Sequence, residues 1–156
     1  MDATPDELAG VVDLFGGLTR GELEDALAEV AFRAGDSVDD GVLRVRIDEA
    51  VDAFALVRYD HDETDEPLLV AGPAAFPTTP DHAEDLPHIL DVETRRLDRE
   101  TLAAVVSERF DRAVDRAVAD GDDERGARLI EVSYDLEAWG SIDASDQRDR
   151  LDGLLE

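Results

Sequence analysis

Three histidines, 41 carboxylates and 15 basic side chains are the groups that could do chemistry in this 156-residue chain. His82 and His88 stand six residues apart, among Asp81, Glu84 and Asp85. That is a poor zinc signature, because no third strong ligand has a defined spacing. Asp60, Asp62 and Asp65, with His61 beside them, could hold a cation, but the EF-hand count fails: no Gly stands sixth, and the twelfth position is Ala71. Asp120, Asp122, Glu124 and Glu131 fall at the first, third, fifth and twelfth positions of a similar count. There the sixth position is Arg125, and Gly121 with Asp122 reads more simply as a helix stop followed by a cap. Neither HExxH nor GxSxG occurs. The expectation is therefore no catalytic, metal or cofactor-binding residue. A carboxylate-based, metal-dependent hydrolase stays as a third reading, and it requires several carboxylates and a His to converge in one pocket.

The basic residues offer a second kind of chemistry. Arg109, Arg112 and Arg116 line one side of a long helix, and with Arg95, Arg96 and Arg99 they form the densest basic region. Such a cluster could hold an acidic partner or nucleic acid. Internal pairing competes, because Glu108 with Arg112 and Arg116 with Asp120 are both i,i+4 neighbours. Tyr134 and Trp139 stand close together in a chain with only 5% aromatics. They can pack the C-terminal helices or form a partner-binding surface.

Composition removes several mechanisms outright. All 15 basic residues are Arg, so there is no lysine for a phosphate loop, a kinase or a Schiff base. With no Cys there is no thiol nucleophile, disulfide or Cys-based metal site. The chain also lacks Asn, and Gln147 is its one side-chain amide. The opening Met1-Asp2-Ala3-Thr4-Pro5-Asp6-Glu7 has neither a basic region nor an apolar run, and no segment approaches the roughly 18 apolar residues of a membrane span. A cytoplasmic location is expected. Hydrophobic residues at 43% suffice for a core despite a net charge of -26.

Helix grammar is clear at both ends of the chain. Thr4-Pro5-Asp6-Glu7 is a capping box with Pro at the first helical position, and Leu8, Val11, Val12 and Phe15 follow as a stripe before Gly16-Gly17. Thr19 and Glu22 repeat the box, with Leu23, Leu27, Val30 and Ala31 behind them and Gly35 as the stop. Over 38–54 two periods compete. Leu43, Val45 and Ile47 alternate as in a strand, whereas Leu43, Ile47, Ala50, Val51 and Phe54 recur at helical spacing. The longer match favours a helix over most of 40–54. Residues 55–59 and 67–71 read as strands of a hairpin whose tip, 60–66, has five carboxylates in seven residues. Four of the six prolines fall in 72–88, which reads as a connector. Asp98 caps a long helix ending at Gly121, a second runs from Asp123 to about Trp139, and a short one covers about Ser145 to Leu155. Leu18-Thr19-Arg20 with Leu23 resembles Leu97-Asp98-Arg99 with Leu102, which shared helix-entry grammar explains without a duplication. The expected fold is mainly α with a small β-hairpin. Its parts are residues 1–72, a proline-rich connector at 73–97, and C-terminal helices at 98–156, around one shared core.

Three helices followed by a hairpin give residues 5–72 the order of a winged helix-turn-helix, which they resemble. The resemblance implies a third helix able to enter a major groove, offering Arg44 and Arg46, with the hairpin near phosphate. An acidic tip repels phosphate. The excess of Asp (26) over Glu (15), without Lys or Asn, resembles the proteins of extreme halophilic archaea. In molar salt the Debye length is about 3 Å, so crowded carboxylates barely repel one another. The Asp6–Gly16 opening and the Leu18-Thr19-Arg20…Glu22-Leu23 segment resemble an uncharacterised family of small acidic haloarchaeal proteins, a resemblance that implies no activity.

The functional expectation is a non-enzymatic adaptor or regulatory module that binds an unidentified protein partner in a salt-adapted cytosol. Its contact residues would be Arg109, Arg112, Arg116, Tyr134 and Trp139. The alternative is a DNA-binding transcriptional regulator using Arg44 and Arg46. The two readings separate on the surface: the first requires an exposed apolar patch, the second a basic strip.

Overall fold

In the computed structural model, residues 3–61 and 64–156 are described. Asp62, one of the cation-loop candidates, lies outside them. The chain forms two compact units, Met1–Leu97 and Asp98–Glu156. The mainly α fold with a small antiparallel sheet is as expected.

The first unit opens with helix α1 (Pro5–Phe15). Thr4 caps it, its hydroxyl accepting from the Glu7 amide at 3.2 Å while the Glu7 carboxylate accepts from the Thr4 amide at 3.3 Å. Two orphan amides are thus satisfied at once. Thr19 and Glu22 do the same for α2 (Arg20–Arg33). Helix α3 spans Asp40–Asp52, and Asp39 caps it through the Val42 amide. Helical spacing prevails here, burying Leu43, Ile47 and Ala50. Val45, which a strand would have placed inside with Leu43, is 55% exposed.

The sheet has one strand more than the expected hairpin. Strands β2 (Leu56–Tyr59) and β3 (Leu68–Ala71) pair antiparallel with Val57 opposite Val70. A two-residue strand β1, Leu18–Thr19, joins the other edge of β3, giving the order β1-β3-β2. The cause is the cap itself. Thr19 must be extended to present its hydroxyl to Glu22, and it sits at φ -67°, ψ 163°. That leaves the Leu18–Thr19 backbone straight and free to pair with Leu69 and Leu68.

Residues 73–97, read from the sequence as a connector between halves, lie on the first unit instead. The Phe76 amide donates to the Asp6 carboxylate and the Thr78 amide to the Asp6 carbonyl, both at 3.0 Å. Ala83 and Leu86 are fully buried in the core formed by α1, α2 and α3. A four-residue helix, α4 (Leu86–Ile89), interrupts the segment. Gly10 of α1 and Gly16 at its C-cap make the close approach possible. A Cβ on Gly10 would stand 2.0 Å from the Thr78 carbonyl oxygen, and one on Gly16, at φ 79°, would stand 1.9 Å from that of Arg95. The Arg95 amide then donates to the Phe15 carbonyl at 2.7 Å.

The second unit is helical throughout its regular elements. α5 (Arg99–Asp120) buries Leu102, Val106, Phe110, Val114 and Ala117. It ends at Gly121 in the left-handed conformation, and Asp122 caps α6 (Asp123–Trp139) through the Arg125 amide. α6 buries Gly126, Leu129, Val132, Ser133 and Leu136. α7 (Ser145–Leu155) follows.

Candidate partner-binding surfaces

α3 presents the sharpest contrast between expectation and geometry. Arg44 and Arg46 are two residues apart, which places them about 200° apart around a helix. They flank the outward face from opposite sides rather than forming a strip. Arg46 is also engaged, its guanidinium 3.5 Å from the Glu49 carboxylate. Asp48, on the same outward side, accepts from Arg20 of α2 at 2.6 Å. Arg44 is exposed and makes no ion pair among the described residues. Between the two arginines stand Val42 and Val45, 52% and 55% exposed, with Glu49 and Asp52 beyond them. Helical spacing fixes this outcome: once Leu43, Ile47 and Ala50 turn inward, positions 42, 45, 49 and 52 must turn out. Phe32, in the last turn of α2, is 77% exposed.

The arginines of the expected basic cluster differ in their surroundings. Arg112 pairs with Glu108, as the i,i+4 spacing suggested. The companion pair is not formed, since Arg116 and Asp120 are both exposed and make no ion pair with each other among the described residues. Arg109 is half-buried, and its Nε is enclosed without a hydrogen-bond partner. Arg95 and Arg99 belong to different units and are used elsewhere. Arg95 donates from Nη1 and Nη2 to the two carboxylate oxygens of Glu22, at 2.7 and 3.1 Å, and from Nη1 to the Gly17 carbonyl. These bonds hold the Glu22 carboxyl below its ordinary range. Arg99 lies 5.0 Å over the Trp139 ring.

Tyr134 and Trp139 are likewise occupied on one side. Trp139 is half-buried under Arg99. Tyr134 is exposed, and the Arg148 guanidinium of α7 stacks 4.3 Å from its ring centroid. Arg148 also donates to both carboxylate oxygens of Glu137, at 2.8 and 3.2 Å, and to the Ser133 hydroxyl at 3.1 Å. Its bond depresses the Glu137 carboxyl and raises the Arg148 guanidinium. This grouping had no sequence signal, because its members are joined across a turn with no fixed spacing. One carboxyl moves the other way: burial, and then the neighbouring Glu131 charge, push Asp135 up.

The histidines remain apart. His82 is exposed in the left-handed region at φ 73°, and His88 lines a shallow hollow of about 470 Å³ with Pro87, Ile89, Leu90 and Asp91. No three metal-ligating side chains come together among the described residues. No described helix is long and apolar enough to cross a membrane.

A family model matches residues 6–156, spanning both units. The chain belongs to DUF7109, a family of unknown function. No curated protein and no solved structure matches it significantly.

Proposed function

We propose that this DUF7109 protein is a non-enzymatic protein-binding module, adaptor or regulatory, of a salt-adapted cytosol, and that it uses the outward face of α3. The observation that carries the reading is the exposure of Val42 and Val45, with Arg44 and Arg46 turned to opposite flanks. Exposed apolar side chains gain from burial against a partner. The carboxylates of Asp48, Glu49 and Asp52 suit a partner whose apolar centre has a basic rim. Arg109, Arg112, Arg116, Tyr134 and Trp139 give weaker support, since internal contacts use several of them.

The first unit is winged-helix-like on this reading. The order α1-β1-α2-α3-β2-β3, with β1 against β3, supports it, and α3 then occupies the place of a recognition helix. The acidic outward face of that helix argues against phosphate contact. A lineage among halophilic archaea is supported by the exclusive use of Arg and the excess of Asp.

The test is capture by tagged protein from a haloarchaeal lysate in molar KCl, with and without nuclease. Val42→Glu/Val45→Glu is compared with wild type after circular dichroism confirms its fold. Proteins retained through nuclease and lost with the double variant support the reading. A reproducible set of DNA fragments, lost with Arg44→Ala/Arg46→Ala, would replace it with the transcriptional regulator.

A further inference from the structure

α7 is built differently from the helices it packs against. α5 and α6 each bury an apolar stripe, whereas α7 buries Leu151 alone. At 11 residues it is shorter than the roughly 12–15 at which even good helices become marginal in water, so it is a helix only while docked.

Many of the contacts that dock it are polar. Arg148 reaches Glu137, Ser133 and the Tyr134 ring. Gln147 donates to Asp111 and Arg150 to Asp115, both on α5. The Ala144 amide, at the entry to α7, donates to Glu137 at 3.1 Å. Near the far end, Leu154 fills the notch left by Gly126, where a Cβ would come within 2.9 Å of it. Ser133 is fully buried, and its hydroxyl donates to the Ile130 carbonyl while accepting from Arg148.

Hydrogen bonds are directional, unlike apolar contact, and in molar salt screening confines ion pairs to about 3 Å. Three partners on α6 converge on one guanidinium, so they are lost together when it moves. The α5–α6 hairpin keeps its own buried stripes and its Gly121–Asp122 turn when α7 leaves. We propose that α7 is a strap that releases from the hairpin as one unit, with Arg148 as its latch, baring Gly126 and Ser133 while α5 and α6 stay folded.

Hydrogen exchange of the full chain in molar KCl tests this, because sub-global opening gives one rate to a whole segment. Amides of residues 148–155 should exchange at a common rate, at least about tenfold faster than those of 106–117 and 129–136. Glu137→Ala should accelerate residues 148–155 a further tenfold or more, and they should remain the fastest-exchanging segment of the three helices. Gly153→Ala, which strengthens α7 with no neighbour to meet, should slow the same amides, and because α7 leaves before the hairpin opens it should also raise the midpoint of the unit. Three results would overturn the proposal: α7 exchanging in step with the hairpin, rates graded toward residue 155 as in simple fraying, or either variant leaving residues 148–155 unchanged.

Discussion

Replacing Gly10 by Ala puts a methyl group where the Thr78 carbonyl already lies. The new Cβ would stand 2.0 Å from that oxygen and 2.4 Å from its carbon, well inside the roughly 3.5 Å at which non-bonded carbons meet. The obstacle is backbone, held by the bonds from the Phe76 and Thr78 amides to Asp6 just before it. The segment must therefore lift. Losing those two bonds costs about 0.5–1.5 kcal/mol each, and overpacking at a filled site costs about 1–3 kcal/mol. Ala returns about 1 kcal/mol through helix propensity. The net loss is about 1–5 kcal/mol, and for a unit of this size each kcal/mol moves the midpoint by about 4–8 °C. Thermal unfolding followed by circular dichroism in molar KCl should thus show the first unit melting at least about 4 °C lower. A midpoint equal to or above that of wild type would refute the claim that residues 73–97 lie closed on α1.

The same substitution has the opposite sign at Gly153, where a Cβ meets nothing within 4 Å. Gly153→Ala should stabilise the second unit by up to about 1 kcal/mol, read as a higher midpoint. Acid titration distinguishes two carboxyls. The folded Glu22 carboxyl lies below its ordinary 4.5, first through its bond from Arg95. Its contribution is complete above pH 4.5 and is lost as pH falls through the lowered folded value. Glu22→Gln should lower stability at neutral pH and flatten that acid limb. Asp135, raised by burial and by Glu131, disfavours the fold while ionised, so Asp135→Asn should raise the neutral-pH midpoint and gain nothing in acid. A net charge of -26 predicts that the far-UV spectrum and midpoint fall in millimolar salt and return with KCl. Invariance across that range would remove the salt-adapted reading.

Local chemistry was legible in the sequence wherever a residue answers to its near neighbours. Thr4 with Glu7, Thr19 with Glu22, and Asp98 and Asp122 all cap the helices their spacing announced. The inward and outward sides of α3 follow from Leu43, Ile47 and Ala50 once helix is chosen over strand. β1 was not legible, because two extended residues carry no periodicity and their partner lies about fifty residues on. The prolines of 73–97 announced irregular backbone correctly but said nothing of where it lies. That was written instead in Gly10 and Gly16, whose missing side chains read as helix weakness and loop until Thr78 and Arg95 are placed against them. The candidate contacts raise a related point. An arginine shows its charge in sequence, but not whether Glu137, Glu22 or a Trp139 ring has already claimed it.

The Arg95 contacts with Phe15, Gly17 and Glu22 also set an order of events in time. These bonds span 73 to 80 positions of chain, so the first unit lacks its closing clasp until nearly all of its residues have been made. The second unit closes over shorter separations: even the bonds from α7 back to α5 span only 35 and 36 positions. Loop closure over long separations slows folding. During synthesis, α1 and α2 must therefore wait with an unfinished edge at Leu18, whereas the helices that follow Leu97 can settle as soon as they emerge.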